Sequence, residues 1–439
     1  MDREPVIRVG IVEKAPVVRG EFRTPYATPT GSFAEGTFEA RVVAGVVVVK
    51  NDAGAPVAEG PDVTFATKAN GSFLLHEVTI GINFHWERRE DQVFEGGLRL
   101  LAHPDGTVTA VNVIGVEAYL ASVISSEMSA TSPVALLQAH AITSRSWLVA
   151  MLEREKREKP GGGARGRVTD HEVVRWYDRE DHALFDVCAD DHCQRYQGIT
   201  KILSPAAAEA VAATRGVFLF HAGEGCDARY YKACGGMTED FRNAWEDKEV
   251  PYLHSISDAT ASHAPVHSEE DAERWILSQP DAFCQTTDGA VLRQVLPLFD
   301  QETTDFFRWR VTYTADQLQE LLRVRSGYDF GRVVDLVALQ RGPSGRITRL
   351  RIVGEKRTMV VGKELEIRKW LSKSHLYSSA FIVRKEGTGV PMSFTLLGAG
   401  WGHGVGLCQI GAAVMATKGY SAEEIVLHYF RGALLKKLY

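Results

Sequence analysis

No apolar run in this 439-residue sequence approaches the roughly 20 residues needed to cross a bilayer; the longest, between Arg41 and Lys50, is a short Val-rich stretch. A membrane span is therefore not expected. A surplus of basic charge is also missing. Fifty Lys and Arg stand against 56 Asp and Glu, a net charge of −6, and the cations are scattered, so no basic stripe exists to hold a phosphate backbone. Nucleic acid is excluded as an expected partner. The first ten residues, MDREPVIRVG, lack the apolar core of a secretory leader, which taken literally suggests the cytoplasm, although a trimmed mature chain would look the same. Cysteine is sparse, with six in the chain, too few for a disulfide framework. Despite 40 glycines there is neither G-x-G-x-x-G nor G-x-x-x-x-G-K-[ST], so dinucleotide and phosphate cradles are not indicated.

What the chain does have is 45% hydrophobic residues, enough for a large core and for two or three domains by length. From Ile7 to Val113, runs rich in Val, Ile and Phe (IRVGIV, FEARVVAGVVVVK, FLLHEVTIG, GGLRLLA, GTVTAVNVIG) alternate with Gly, Asn and Asp, the pattern of strands and turns. Val116, Tyr119, Leu120, Val123 and Ile124 then recur at helical spacing. Ser132 and Pro133 open a second helix whose stripe is Val134, Leu137, Ala141, Leu148 and Met151, and PGGGARGR ends it. Ser204-Pro205 starts another helix, and VFLFHAG with CDARYYKACGG reads as a two-stranded hairpin. Helices are expected over Ser268–Leu277, over Thr314–Val324 behind a Thr314/Gln317 capping box, and after Ser421 behind a Ser421/Glu424 box. Strands return between Val333 and Val361. The expectation is an α+β fold, strand-rich with a helical segment and without regular βαβ alternation. It divides into a β-rich part (1–113), a part with helices, a Cys/His loop and a hairpin (114–258), a helical insertion (259–345), and strands, a glycine motif and a closing helix (346–439).

Three constellations carry chemistry. In VEAYLASVISSEMSATSPVALLQAHAITSRSWLVA (116–150), Glu127 sits in the break between two helices, where packed neighbours can partly desolvate a carboxylate, as a general acid requires. A solvated or helix-capping glutamate is the plainer alternative. Glu117 is no partner for it, since ten helical residues turn the two side chains to different faces. In HALFDVCADDHCQRY (182–196), His182, Cys188, His192 and Cys193 place two thiols and two imidazoles within twelve residues, a set suited to a closed tetrahedral zinc site. A Cys188–Cys193 disulfide with two incidental histidines is the alternative, and for Cys226 and Cys234 inert thiols or a disulfide rank above metal. In LLGAGWGHGVGLCQIGAAVMATKGYS (396–421), glycines surround Trp401, His403 and Gln409. This is either a segment that lets backbone approach a ligand, with an indole suited to sugar rings, or a tight loop in which glycine serves positive φ and His403 is structural. A Cys408/His403 nucleophile pair carries little weight.

Together these segments resemble the SpoIID/LytB family. SVISSEM followed by LLQAHAITSRSW is similar to that family's acid and following helix; FDVCADDHCQRY, YYKACGGMTEDFRNAW (with Cys234 where Ser is usual), GAGWGHGVGLCQIGA and GYSAEEIVLHYF are similar to its other motifs. The likeness runs from about Ile7 to the C-terminus. Departures are the long approach to the Cys/His loop and the extra sequence over 259–312. The resemblance implies a long glycan groove and a lytic transglycosylase of peptidoglycan, acting on MurNAc–GlcNAc bonds of strands stripped of stem peptides and leaving 1,6-anhydroMurNAc ends. It implies Glu127 as sole acid and base, and Arg145, Gln194, Tyr230, Trp401 and His403 as groove residues. It implies structural zinc on His182, Cys188, His192 and Cys193, and an extracytoplasmic or periplasmic place in the cell envelope with the leader missing from this sequence. Amidases or the division or sporulation machinery are the partners it suggests. Two rivals remain: a noncatalytic glycan-binding or recruitment module, which needs no acid at 127, and a hydrolase, which would add water.

Overall fold

The computed structural model describes residues 3–67, 71–82, 87–129, 131–157, 166–177, 182–190, 192–295, 305–387 and 389–439. The fold is α+β with no regular βαβ alternation. Two compact units interleave in sequence: residues 1–131, 181–217 and 437–439 form the first, and 132–180 and 218–436 the second.

The first unit holds the expected strands, β1 (Val6–Ala15), β2 (Val18–Ala27), β3 (Phe33–Val43), β4 (Val46–Asn51), β5 (Pro56–Gly60), β6 (Asp62–Phe65), β7 (Ser72–Ile80), β8 (Arg88–Glu95), β9 (Gly97–Ala102) and β10 (Val108–Gly115). The run FEARVVAGVVVVK folds as two strands rather than one, because Ala44 and Gly45 both take positive φ and close a two-residue hairpin between β3 and β4. One sheet has the order β5-β4-β3-β2-β7-β8, and the other the order β6-β9-β10-β1 followed by the short strand Val187–Cys188. Alternating residues face inward, as Val47 and Val49 do in β4. The core between the sheets is aromatic. The Phe22 ring lies 4.6 Å from Phe38 and 4.7 Å from Phe65, and Phe73 lies 5.5 Å from Phe94. All five rings are buried, each contributing on the order of 2–3 kcal/mol of apolar transfer energy.

Helix α1 (Val116–Glu127) follows β10 without a loop, and its expected apolar face of Val116, Tyr119, Leu120, Val123 and Ile124 is buried. It ends at Met128, an extended residue whose N–H still bonds Ile124 O.

In the second unit, α2 (Val134–Arg157) begins after Pro133, whose carbonyl accepts the Leu137 N–H at 3.1 Å. The expected C-terminal strands Val333–Arg341, Ile347–Gly354 and Thr358–Gly362 form an antiparallel meander. It packs with Trp309, Leu318, Leu322, Trp370 and Phe394 into one core. Both expected capping boxes are formed: Thr314 Oγ1 accepts from Gln317 N at 3.2 Å, and Ser421 Oγ from Glu424 N at 3.2 Å. A third box joins Ser268 and Asp271 at the start of Glu269–Leu277. The hairpin after Val217 is shorter than expected. Val217–His221 pairs back only as far as Cys226, whose N–H bonds Leu219 O, and Tyr230–Tyr231 instead pairs in parallel with Leu407–Cys408. Among the described residues no helix is long and apolar enough to cross a membrane.

Candidate functional site

Glu127 is the last residue of α1 and is 9% exposed. Its Oε1 lies 3.4 Å from the main-chain N of Arg195, a long hydrogen bond donated by the segment that follows the Cys/His loop. Two further contacts fasten that segment along α1 and a third to β10. The Tyr196 ring stacks on Tyr119 at 5.0 Å, and the Gln197 N–H bonds Ser122 Oγ at 3.2 Å. The Tyr196 hydroxyl donates to Asn112 Oδ1 at 2.6 Å, and Asn112 in turn donates to the carbonyls of Glu95 and Gly97. Residues 195–197 are thus locked to both α1 and β10, and Gln194 beside them is buried. Glu117, as expected, is no partner of Glu127. It accepts from Gly216 N at 3.3 Å and from the Tyr439 hydroxyl at 2.7 Å, a structural role at the other end of α1.

The Cys/His loop immediately precedes this segment. His182, Cys188, His192 and Cys193 bring their four ligand atoms within 4.8 Å of one another. Cys193 Sγ lies 3.5 Å from His182 Nε2 and 3.6 Å from His192 Nδ1, and Cys188 Sγ 3.8 Å from His192 Nδ1. Zn–S and Zn–N bonds of about 2.3 and 2.0 Å in a tetrahedron put S and N about 3.5 Å apart, so the donor set fits a metal ion in both chemistry and spacing. None of the six cysteines, all of them described, is in a disulfide. The Cys188 thiol is pushed well below its usual value, foremost by its contact with the Cys193 thiol, with His182 and His192 adding and burial opposing.

β1 explains how the loop is held. Cys188 sits on the short strand paired in parallel with it (Val9 beside Val187, Gly10 beside Cys188), the Asp186 N–H bonds Arg8 O, and the Ala189 N–H bonds Gly10 O. The Arg8 guanidinium clamps the Asp186 carboxylate at 2.7 Å. Gly10 is needed here, because a Cβ would meet three atoms of the Phe185 ring at 2.5–2.7 Å. That ring packs 4.6 Å from the His182 imidazole.

The other expected site residues lie in the second unit. Arg145 is fully buried in α2 with its guanidinium 6.0 Å from the Phe218 ring centre. Tyr230 packs 4.4 Å from the His140 ring. His140 was not expected from sequence: it is buried, and its Nε2 faces the Gln409 amide nitrogen at 3.1 Å and its Nδ1 the Ser144 hydroxyl at 3.2 Å. Burial, helped by the charge of Lys232, depresses its pKa to about 3, so the ring is neutral. Gln409 of the glycine motif therefore ties its helix to α2.

Trp401 is half-buried, with Phe306 stacked at 4.7 Å and Tyr377 at 4.5 Å. His403 is half-buried between Tyr231 and Trp245, at 5.2 and 4.8 Å, and its Nδ1 accepts the Val405 N–H at 3.1 Å. Burial, then Arg229, Arg368 and Arg346, hold it well below the usual histidine value, hence neutral. The alternating glycines do serve close approach, to the chain's own segments. At Gly404 (φ 85°) a Cβ would strike the Arg346 guanidinium at 2.5 Å, and at Gly406 (φ 86°) the Arg229 carbonyl at 2.2 Å.

The family model described as stage II sporulation protein (SpoIID) matches residues 104–221, which include Glu127 and all four residues of the Cys/His loop. A second, described as a domain of unknown function (DUF8618), matches residues 239–406. Among curated proteins the chain is similar to "Stage II sporulation protein D" of Bacillus amyloliquefaciens, 25% identical over 325 residues, 74% of this chain and 74% of that protein. It is also similar to the protein of the same name from Bacillus subtilis (strain 168), 24% identical over 330 residues, 75% and 76% of the two chains. Residues 104–221 thus match the SpoIID family model, and the likeness to these relatives spans three quarters of the chain, so the resemblance to the SpoIID family is supported.

Proposed function

We propose that this protein is a lytic transglycosylase acting on peptidoglycan glycan strands, with Glu127 as its acid and then its base. The observation that carries the reading is the position of Glu127: a desolvated carboxyl at the end of α1, inside the SpoIID-matched region, with a main-chain N–H on one oxygen and the other oxygen left for a proton. In the reaction, the Glu127 carboxyl donates its proton to the glycosidic oxygen, the C1–O bond of MurNAc breaks, and GlcNAc leaves with a free 4-hydroxyl. The resulting carboxylate takes the proton of the MurNAc C6 hydroxyl as that oxygen closes on C1, giving a 1,6-anhydro end and regenerating the acid. No water is consumed, and no second carboxylate is required.

His182, Cys188, His192 and Cys193 would hold zinc, which when bound supplies a structural cross-link. Those residues fix the start of the 194–197 segment whose N–H groups reach Glu127 and Ser122. The resemblance to a cell-wall enzyme family supports denuded MurNAc–GlcNAc strands as substrate and an extracytoplasmic or periplasmic location. Tyr230, Trp401 and His403, each only partly buried, remain proposed glycan contacts of the second unit, whereas Arg145 and Gln194 are buried and their proposed role becomes support of such contacts from behind.

Incubation with denuded strands followed by mass analysis of the products tests the reading. Anhydro ends are expected. Ends carrying added water would make the protein a hydrolase, and intact strands would make it a binding module. Glu127→Gln is expected to lower turnover by about a hundredfold to ten-thousandfold with unchanged circular dichroism; retained activity would sink the assignment.

A further inference from the structure

The second unit buries a second constellation of metal-ligand type. Cys234, Asp258, Cys284 and Cys408 are all buried, and their ligand atoms lie within 4.8 Å of one another. Cys234 Sγ is 3.3 Å from Cys284 Sγ, well beyond the ~2.05 Å of a disulfide bond and about half an ångström short of the ~3.8 Å that two thiolates span on one tetrahedral zinc.

Main-chain N–H groups point at two of the sulfurs. Cys408 Sγ accepts the Cys234 N–H at 3.3 Å and the Gly411 N–H at 3.4 Å, the latter at the start of the helix Gln409–Thr417. Cys234 Sγ accepts the Gly236 N–H at 3.3 Å. The Asp258 carboxylate is oriented by two neutral donors, the Cys284 N–H on Oδ2 at 2.9 Å and the Tyr429 hydroxyl on Oδ1 at 2.6 Å. Each oxygen keeps a further lone pair. In their ionised, metal-binding forms an acid and three thiolates buried together are costly unless a cation gathers them. A divalent ion offsets two of the four negative charges, and the N–H donors on sulfur offset part of the rest. Gly411 leaves the space: a Cβ there would meet Asp258 Oδ1 at 2.5 Å and the Tyr429 hydroxyl at 2.3 Å.

We propose that Cys234, Cys284, Cys408 and Asp258 form a structural site for a zinc-like divalent ion in a three-sulfur, one-oxygen tetrahedron. The ligands come from segments up to 174 residues apart in sequence. The ion would join the Tyr230–Gly236 segment, the loops at 258 and 284, and the glycine motif.

The test is metal content of the reduced full chain, purified without chelator, by mass spectrometry of the metal. Cys234→Ser is expected to lose one equivalent relative to its parent, and it replaces a thiol with the residue usual at that position in the resembled family. Made again in a Cys188→Ser/Cys193→Ser background, which removes the loop site, it should lower the content from one equivalent to none. In that background before the Cys234 change, Co²⁺ is expected to give an intense thiolate-to-cobalt charge-transfer band. Should the serine variant fail to fold, this band decides alone. An unchanged metal count in Cys234→Ser, a Co²⁺ spectrum without charge transfer, or a Cys234–Cys284 disulfide found by differential alkylation of the native protein would overturn the site.

Discussion

Gly10→Ala puts the architecture of the Cys/His loop under load without touching a ligand. The Cβ it adds would meet the Phe185 ring at 2.5–2.7 Å, about an ångström inside van der Waals contact. The glycine itself is held between two strands, beside Val111 on β10 and Cys188 on the short strand. The ring is confined too, since Phe185 packs on Leu101, Val111 and Cys188 and lies 4.6 Å from His182. Relief therefore requires either the ring, which packs on His182, or the short strand, which holds Cys188, to move. Overpacking of this kind costs about 1–3 kcal/mol. If that strain falls on the closed loop, zinc affinity drops by about fivefold to over a hundredfold, at tenfold per 1.4 kcal/mol. Competition with a chromophoric chelator reads the affinity, and urea unfolding with and without metal reads the stability. Phe185→Leu in the same chain should restore part of both by removing the ring. An affinity within twofold of wild type, with an unmoved urea midpoint, would refute the claim that Phe185 braces the loop.

Two further outcomes follow from the second unit. His140 has a folded-state pKa near 3 against an ordinary 6.5. Its contribution to stability is therefore whole above pH 6.5 and is lost, by up to about 1.4 kcal/mol per pH unit, as pH falls from there towards 3. His140→Gln should be less stable at pH 7 yet lose stability more slowly on acidification, so urea midpoints of the two proteins converge between pH 6 and 4; parallel curves would refute the assignment. Gly404→Ala combines a left-handed φ of 85° with a 2.5 Å approach to the Arg346 guanidinium, which holds the carbonyls of Gly402 and Cys234. A loss of at least about 1–2 kcal/mol is expected from the backbone alone, measured as a lowered Tm.

Legibility in the sequence tracks how local each interaction is. The capping boxes at Thr314 and Ser421 and the strands of the first 113 residues were readable because caps and alternation are set within a few residues. The same holds for His182, Cys188, His192 and Cys193, where twelve residues contain the entire donor set. The Cys234/Asp258/Cys284/Cys408 cluster is also of metal-ligand type but has no local signal, and its ends are brought together by long-range contacts such as the parallel pairing of Tyr230–Tyr231 with Leu407–Cys408 and the Ala233–Trp401 bridge. The expected hairpin failed for the same reason: after Cys226 the chain finds a better partner 177 residues downstream. Composition also misdirects where glycine is concerned. The motif around Trp401 announces close approach, but what approaches at Gly404 and Gly406 is Arg346 and the Arg229 carbonyl, so its density of glycine is accounted for by self-packing before any ligand is invoked. For Glu127 the decisive neighbour is a main-chain N–H, at Arg195, which no side-chain pattern can encode. Its position depends on Tyr196 reaching Asn112 and on the Gln197 N–H reaching Ser122, contacts made from residues just past the Cys/His loop. A substitution that leaves Glu127 intact but loosens that segment should therefore weaken the acid's setting, which ties the proposed chemistry to the loop's packing rather than to the glutamate alone.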